Sequence, residues 1–377
     1  MNFGESCPAN CGINPFSINL NLQMKSLEKG SYSFSSILEV SRQLEQDIIH
    51  LDFESLNLHE RVKSYFRFDL GKIKYVSECN AFILFHILND SLINIQDHII
   101  IDHGAGIGFF SFLVKRIGAK CISHDISEEY LEGIKILAKE LNAEPDYYIL
   151  GDTDILVEYC NSNMLKPTGL GSRNVIEHLP DYTQFFKQLS VLKSDKFNSV
   201  ITTSANIHNP IVKQIHRKIH SKYENLGSNM DMDNPTLDTA NCGMKLRSEI
   251  IKNQFPELDQ KLIEKLAKRN RGFAQAQIIE RTQAYIQTGL LPVLSQDSTN
   301  TCDPFTGAWV ERLVSVNEYE RAAQNAQFKF SIIAGFYNTQ YHSKFKNIIA
   351  IILNKILKLN PPFKLQLSPF LAMKLVK

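Results

Sequence analysis

The run "HIIIDHGAGIGFF" at 98–110 constrains this chain more than any other stretch. Ile99, Ile100 and Ile101 are β-branched and favour an extended backbone. Gly104, Gly106 and Gly108 then free the backbone from Cβ sterics. "FFSFLVKRIG" follows with helical spacing of its apolar residues and Gly118 near its C-terminus. A strand, a glycine turn and a helix in immediate succession form the first half of a parallel βαβ unit. The glycines also let backbone N–H groups approach a bound ligand at the helix start.

The alternation continues downstream. "AKCISHD" reads as a second strand ending at Asp125, and "SEEYLEGIKILAKELNA" as a helix with Ser127 as its N-cap. "YYIL" reads as a third strand running into "GDTD". The helix "DYTQFFKQLSVL" precedes the strand "NSVITTS", 198–204. Strand character resumes at "FKFSIIAGFYN", 328–338, and the chain closes with a helix, "KFKNIIAIILNKILKL", and a last strand, "PFLAMKLV". This pattern predicts an α/β fold with a doubly wound, mostly parallel sheet. The stretch "NMLKPTGLGSRNV" departs from it. Pro167, Gly169 and Gly171 are poor residues for a central buried strand, so a very short strand or an irregular sheet edge is expected there.

Two regions carry helical rather than strand signals. Residues 34–93 read as helices, behind a polar arm at 1–30. Residues 205–300 carry long helical patterns such as "SEIIKNQFPELDQKLIEKLAKRN". The 377 residues divide accordingly into an N-terminal arm and helical region (1–95), a cofactor-binding core (96–204), a helical insertion (205–304) and the C-terminal part of the core sheet (305–377). The two helical regions are expected to cover the carboxyl edge of the sheet and shape a substrate pocket.

Charge and cysteine content narrow the function classes. A formal net charge of +1 without a basic stripe disfavours a nucleic-acid partner. Among the seven cysteines only Cys7 and Cys11, in "CPANCG", stand close together, and they lack the second pair of a zinc ribbon. No metal is expected, and the cysteine usage fits a reducing compartment. The first 24 residues lack Lys, Arg and a sustained apolar core, so no signal peptide is read. The longest purely apolar run, "IIAIIL" at 348–353, is far below the ~20 residues of a spanning helix. A soluble, cytoplasmic protein is expected.

The glycine spacing discriminates between nucleotide cofactors. Asp125 lies 21 residues after Gly104 at the end of the next strand, where an acid binds ribose hydroxyls. That placement fits a dinucleotide or S-adenosylmethionine. A dinucleotide loop, G-x-G-x-x-G, wants Gly or Ala where this chain has Phe109. Asp102 ahead of the loop would repel a diphosphate and suits a ligand carrying an ammonium and a sulfonium.

Several stretches, in order, resemble the class I S-adenosylmethionine-dependent methyltransferases. "IIIDHGAGIG" looks like the family's first motif and "SHD" like its second-strand acid. "LGDTDIL" is similar to the motif after the third strand, and "RNVIEHLPDYTQFF" to the motif after the fourth. "GAWVERLVSVNEYERAAQNAQF" resembles the segment before the last two strands. The resemblance covers 98–204 and 305–377. It implies a seven-stranded sheet with an antiparallel last strand and S-adenosylmethionine as cofactor. It places Asp102, Gly104, Gly106 and Gly108 at the methionine part, Asp125 at the ribose, and Asp152 and Thr153 at the adenine. It sets Glu177 and His178 at the sheet's carboxyl edge, facing cofactor and substrate. Asn174 stands where the family usually has Asp.

Methyl transfer is an in-line displacement, so positioning supplies much of the rate, and a base is required only for a hydroxyl or protonated amine. Glu177 and His178 are the candidate catalytic residues. The expected acceptor is an oxygen or nitrogen of a small molecule, a sugar or a lipid-linked intermediate. Two other readings stay open: a non-catalytic scaffold of the same fold, and a nicotinamide-dependent oxidoreductase.

Three further features have competing readings. His216 and His220, in "HRKIH", have metal-ligand spacing, but Lys and Arg neighbours favour a solvated basic face. Residues 344–377 hold seven Lys and no Asp or Glu; peripheral membrane contact is the lesser reading, and a helix packed between the last two strands is preferred. Trp309, the only Trp, either closes over substrate or packs in the core.

Overall fold

A computed structural model describes residues 32–89, 91–194, 196–226, 243–294 and 299–377. The arm at 1–30, with Cys7 and Cys11, lies outside them. Seven strands form one sheet in the order β3-β2-β1-β4-β5-β7-β6. They are β1 Ile99–His103, β2 Lys120–Asp125, β3 Tyr147–Leu150, β4 Gly169–Arg173, β5 Asn198–Thr203, β6 Lys329–Ala334 and β7 Leu371–Val376. Strands β1 to β5 pair in parallel, and β7 runs antiparallel to both its neighbours, as expected from the sequence.

Period-2 alternation along the strands builds a core on each face. Ile100, Cys121, Val200 and Ala372 point into one core, and their neighbours Ile101, Ile122, Ile201 and Met373 into the other. The first core is closed by helices Phe34–His50, Ile73–Leu88, Phe109–Arg116 and Glu128–Glu140. The second is closed by helices Thr153–Ser162, Tyr182–Ser190 and Val316–Asn325. The sheet is therefore doubly wound.

The glycines of β4 have a different meaning from the one their strand propensity suggests. The strand is a regular five-residue element, paired with β1 on one side and β5 on the other. A Cβ at Gly169 would overlap Ile87, and one at Gly171 would overlap Phe110. The two glycines let helix Ile73–Leu88 and Phe110 approach the middle of the sheet closely, where added side-chain volume costs about 1–3 kcal/mol. Pro167 sits just before the strand and breaks no ladder; Thr168 makes the first bond, its N–H donating to Ile99 O at 2.8 Å. The expected irregular edge is absent.

The helical regions divide their roles. Helix Ile73–Leu88 is buried along most of its length and lies on the sheet face against β4 and β5, rather than over the carboxyl edge. The preceding helix, Glu60–Leu70, reaches the glycine turn through Tyr65. In the insertion, helices Met244–Gln254, Gln260–Arg269 and Gln275–Thr288 enclose a small core of their own around Ile251, Leu266 and Ile278. Arg247 is 1% exposed within it, paired with Glu224 and donating to Ala267 O at 2.9 Å. Helix Lys344–Lys358 follows β6 and precedes β7 along the chain, as expected. Among the described residues no helix is long and apolar enough to cross a membrane.

Candidate functional site

Strand order reverses between β1 and β4. The chain leaves β1 for a helix on one face and β4 for a helix on the other. The two connections diverge and open a crevice at the carboxyl ends, the usual ligand position in such sheets. The connection after β1 is the glycine turn. Gly104, Gly106 and Gly108 have φ of +68°, +55° and +81°, a region L side chains rarely adopt. A Cβ on Gly104 would also overlap Val175, from the connection after β4. The two loops thus meet where the crevice begins.

Backbone donors in the turn are largely committed to the protein itself. Gly104 N–H and Ala105 N–H both donate to His124 O, at 2.9 and 3.0 Å, instead of pointing at a ligand. Gly106 N–H donates to Asp125 Oδ2 at 2.8 Å, and Ser127 N–H donates to Asp125 Oδ1 at 2.9 Å. This bridge joins the turn to the end of β2. Burial raises the Asp125 pKa, against the pull of those N–H donors. Its carboxylate is buried on backbone donors with acceptor capacity to spare, a setting for hydroxyl donors from a ligand.

The remaining predicted cofactor residues serve the same edge in different ways. Asp102 turns its carboxylate to the following helix, where Oδ2 accepts from Ser111 N–H at 2.9 Å and Ser111 Oγ–H at 2.7 Å. It anchors the first turn of that helix, and burial pushes its pKa up to about 7. Asp152 is an exposed N-cap of helix Thr153–Ser162, accepting from Ile155 N–H at 3.1 Å. Thr153 is buried, with Oγ1 3.2 Å from His103 Nε2. His103 stacks on His124 at 5.1 Å between ring centroids, and burial depresses the pKa of both imidazoles. Two neutral, stacked rings therefore stand side by side at the ends of β1 and β2.

Tyr65 is a residue the sequence reading missed. It projects from helix Glu60–Leu70, and its Cε1 would stand 3.0 Å from a Cβ on Gly106. Its ring lies 5.7 Å from that of Tyr130. Next to it, Asp69 is 1% exposed and accepts from Arg173 Nη2 at 3.0 Å, while Lys72 Nζ stands 3.2 Å from its other oxygen. A tyrosine and a buried ion-pair network thus cover the glycine turn from outside. Their only sequence signal was a helix preceding the first strand. Phe109 is 4% exposed and packs edge-on against Phe66 at 5.4 Å, so it builds this same contact between turn and cover.

A second group assembles after β4. Asn174 adopts φ +57° and its Oδ1 accepts from Ser204 N–H at 3.1 Å. Two residues of this connection pair with a distant one: Trp309 N–H donates to His178 O and Arg312 N–H to Glu177 O, both at 3.0 Å. That pairing lays Glu311 beside Glu177 and His178. Glu311 itself has φ +46°, a strained backbone for a non-glycine residue. His178 Nδ1–H donates to Trp309 O at 2.9 Å, which leaves the lone pair of neutral His178 on Nε2. Nε2 is 4.0 Å from Glu311 Oε1.

Histidines from the insertion complete the group. His216 Nε2 is 3.2 Å from Glu311 Oε2, and His220 Nε2–H donates to Glu311 O at 2.9 Å. Both are buried, so the expectation of a solvated basic face is overturned: the i, i+4 face turns inward onto Glu311, and Arg217 and Lys218 lie outside it. Burial opposes ionisation of Glu311, but the His216 hydrogen bond and the His178 and His216 charges hold its pKa well below the usual value. The His216 pKa rises despite burial, because of that carboxylate. Glu177 is fully buried, Oε2 has no hydrogen-bond partner, and desolvation raises its pKa.

This arrangement can take up a proton at His178 Nε2, with Glu311 stabilising the imidazolium. Glu177, His178 and Glu311 also place ligand atoms within 4.8 Å of one another, a grouping able to hold a cation. Sequence spacing did not show it, since 133 residues separate Glu311 from His178 (311 − 178). Trp309 is half-buried and ties this region to the insertion: its Nε1–H donates to Pro180 O at 3.2 Å, Arg312 stacks over its ring at 4.1 Å, and Gly272 packs against it.

No family model matches the chain. An uncharacterized protein of Methanocaldococcus jannaschii is 32% identical over 134 residues, which is 35% of this chain. The chain spans 57% of that relative's length. Solved structures similar to it include an S-adenosylmethionine-dependent methyltransferase from Mesorhizobium loti, at 15% identity over 75% of this chain and 92% of that one, TM-score 0.34. Another is phosphoethanolamine N-methyltransferase 2 from Haemonchus contortus in complex with S-adenosyl-L-methionine, at 12% identity over 79% of this chain and 52% of that one, TM-score 0.36. By its own strand order and pairing, the chain has the doubly wound, mostly parallel seven-stranded α/β sheet with an antiparallel last strand.

Proposed function

We propose that this protein is an S-adenosylmethionine-dependent methyltransferase acting on an oxygen or nitrogen of a small-molecule, sugar or lipid-linked acceptor. The reading is carried by two features on the loops after β1 and β4, which meet where Gly104 approaches Val175. One is the Gly104–Gly108 turn bridged to the buried Asp125 carboxylate; the other is His178, its tautomer set by Trp309 O.

The donor set fits such a cofactor. Asp125 has acceptor capacity for ribose hydroxyls, and the three left-handed glycines keep Cβ atoms out of the approach. Bound there, S-adenosylmethionine would supply an electrophilic methyl on a sulfonium, already a good leaving group. The neutral rings of His103 and His124 and the hydroxyl of Thr153 would line the adenine side. Tyr65 would close over the turn and exclude water. His178 Nε2 would receive the acceptor's proton, and the Glu311 carboxylate, kept ionised by His216, would stabilise the charge formed on the ring. Phe109, buried against Phe66, speaks against a pyrophosphate-binding turn.

Calorimetric titration separates the readings. Saturable binding of S-adenosylmethionine and its demethylated product, without tight binding of NADH, is expected. Tight NADH binding alone would transfer the site to a nicotinamide cofactor, and binding of no nucleotide would favour a scaffold.

A further inference from the structure

Helix Lys344–Lys358 is held to the body by one narrow side. Ala350 and Leu357 are its buried residues. The opposite side is apolar and open: Phe345 is 71% exposed, Ile348 56%, Ile352 52% and Leu359, just past its end, 82%. At 100° per residue these four fall within one sector, roughly opposite Ala350 and Leu357. Lys344, Lys355 and Lys358 flank that sector on one side and Lys346 on the other. Exposed Phe363 and then Lys364 follow. Between the helix and Ile73–Leu88 runs a cleft of about 360 Å³ lined by Phe34, Phe82, Phe85 and Phe336, so the helix stands partly off the body.

We infer that this helix lies in the plane of an anionic lipid bilayer, with Phe345, Ile348, Ile352 and Leu359 in the acyl boundary and the lysines at the headgroups. Charge selects this occupant. Residues 344–377 hold seven Lys and no Asp or Glu. An apolar stripe edged by lysines complements a negative interface and is too short to span it. A second copy of the same helix would bring lysine rows against each other. The inference is independent of the proposed methyl transfer, and it reverses the preference for an ordinary packed helix drawn from the sequence: the helix falls between β6 and β7 along the chain, but its apolar side faces outward.

Vesicle co-sedimentation of the full chain tests it, with phosphatidylcholine alone and phosphatidylcholine mixed with phosphatidylglycerol. Binding to the mixed vesicles at least about tenfold above phosphatidylcholine is expected, falling as salt is raised. Ile352→Asp, at an exposed position, should abolish binding with an unchanged melting temperature; Lys355→Gln together with Lys358→Gln should weaken it. No binding to mixed vesicles, equal binding to both kinds, or wild-type binding by Ile352→Asp would overturn the inference. So would dimerisation in ultracentrifugation that Ile352→Asp abolishes while vesicle binding remains absent.

Discussion

The glycine turn and the cluster after β4 both follow strands at the point where the strand order reverses, but they are built by opposite means. The turn is local. Asp102, the three glycines and Asp125 lie within 24 residues of chain, and backbone N–H groups make most of the bonds. The β4 cluster is assembled from far apart. Glu177, Ser204, His216 and Glu311 come from four segments, joined through side chains and a strained residue at φ +46°. A motif encodes the first; only the fold can create the second. We attribute cofactor holding to the turn and proton handling to the cluster, and four substitutions bear on that division.

His178→Asn has the largest expected effect. It removes the proposed base while Nδ2 can still donate to Trp309 O. Turnover should fall by about 10²–10⁴ with cofactor affinity unchanged, measured as demethylated cofactor released in the presence of acceptor. Unaltered turnover would return His178 to a packing role.

Gly106→Val strikes the turn next. It forces a β-branched side chain into φ +55° and against Tyr65. Stability should drop by about 2–3 kcal/mol in chemical denaturation. Binding of the demethylated cofactor should be lost even under conditions where the variant is folded.

A smaller effect is expected for Asp125→Asn. Its Oδ1 keeps one backbone bond, but the charge and one acceptor oxygen are lost. Cofactor affinity should weaken by about 10–100-fold, equivalent to about 1.4–3 kcal/mol, by calorimetry. An effect on turnover at saturating cofactor would blur the division between the regions.

The smallest effect is pH-dependent. The folded-state His216 pKa is raised above its ordinary 6.5, so its contribution to stability is full below pH 6.5 and lost as pH rises through the raised value. The Glu311 pKa is lowered below its ordinary 4.5, so that contribution is present above pH 4.5 and lost as pH falls through the lowered value. The stability difference between wild type and His216→Gln should therefore be greatest between pH 4.5 and 6.5, at about 1–2 kcal/mol, and shrink toward alkaline pH. A difference that is flat with pH would mean His216 and Glu311 do not form an ion pair.

The same contrast explains what was legible in the sequence. Strand periodicity, Ser127 as a cap and the glycine turn are short-range signals, and they marked out the sheet and the turn at the end of β1. Gly169 and Gly171 were misread because propensity registers a missing side chain but not the helix that needs the space. His216 and His220 were assigned to solvent because Lys and Arg neighbours dominate the local pattern; the partner, Glu311, is 95 residues away (311 − 216). Tyr65 and the Asp69–Arg173 pair carried no motif, since their role comes from docking one helix on the turn.

The most direct test of the division is to titrate the demethylated cofactor into wild type, Asp125→Asn and His178→Asn under one set of conditions. Our account predicts affinity at least about tenfold weaker for Asp125→Asn and unchanged for His178→Asn. Equal affinity for Asp125→Asn and wild type, or an equal loss in both variants, would contradict it.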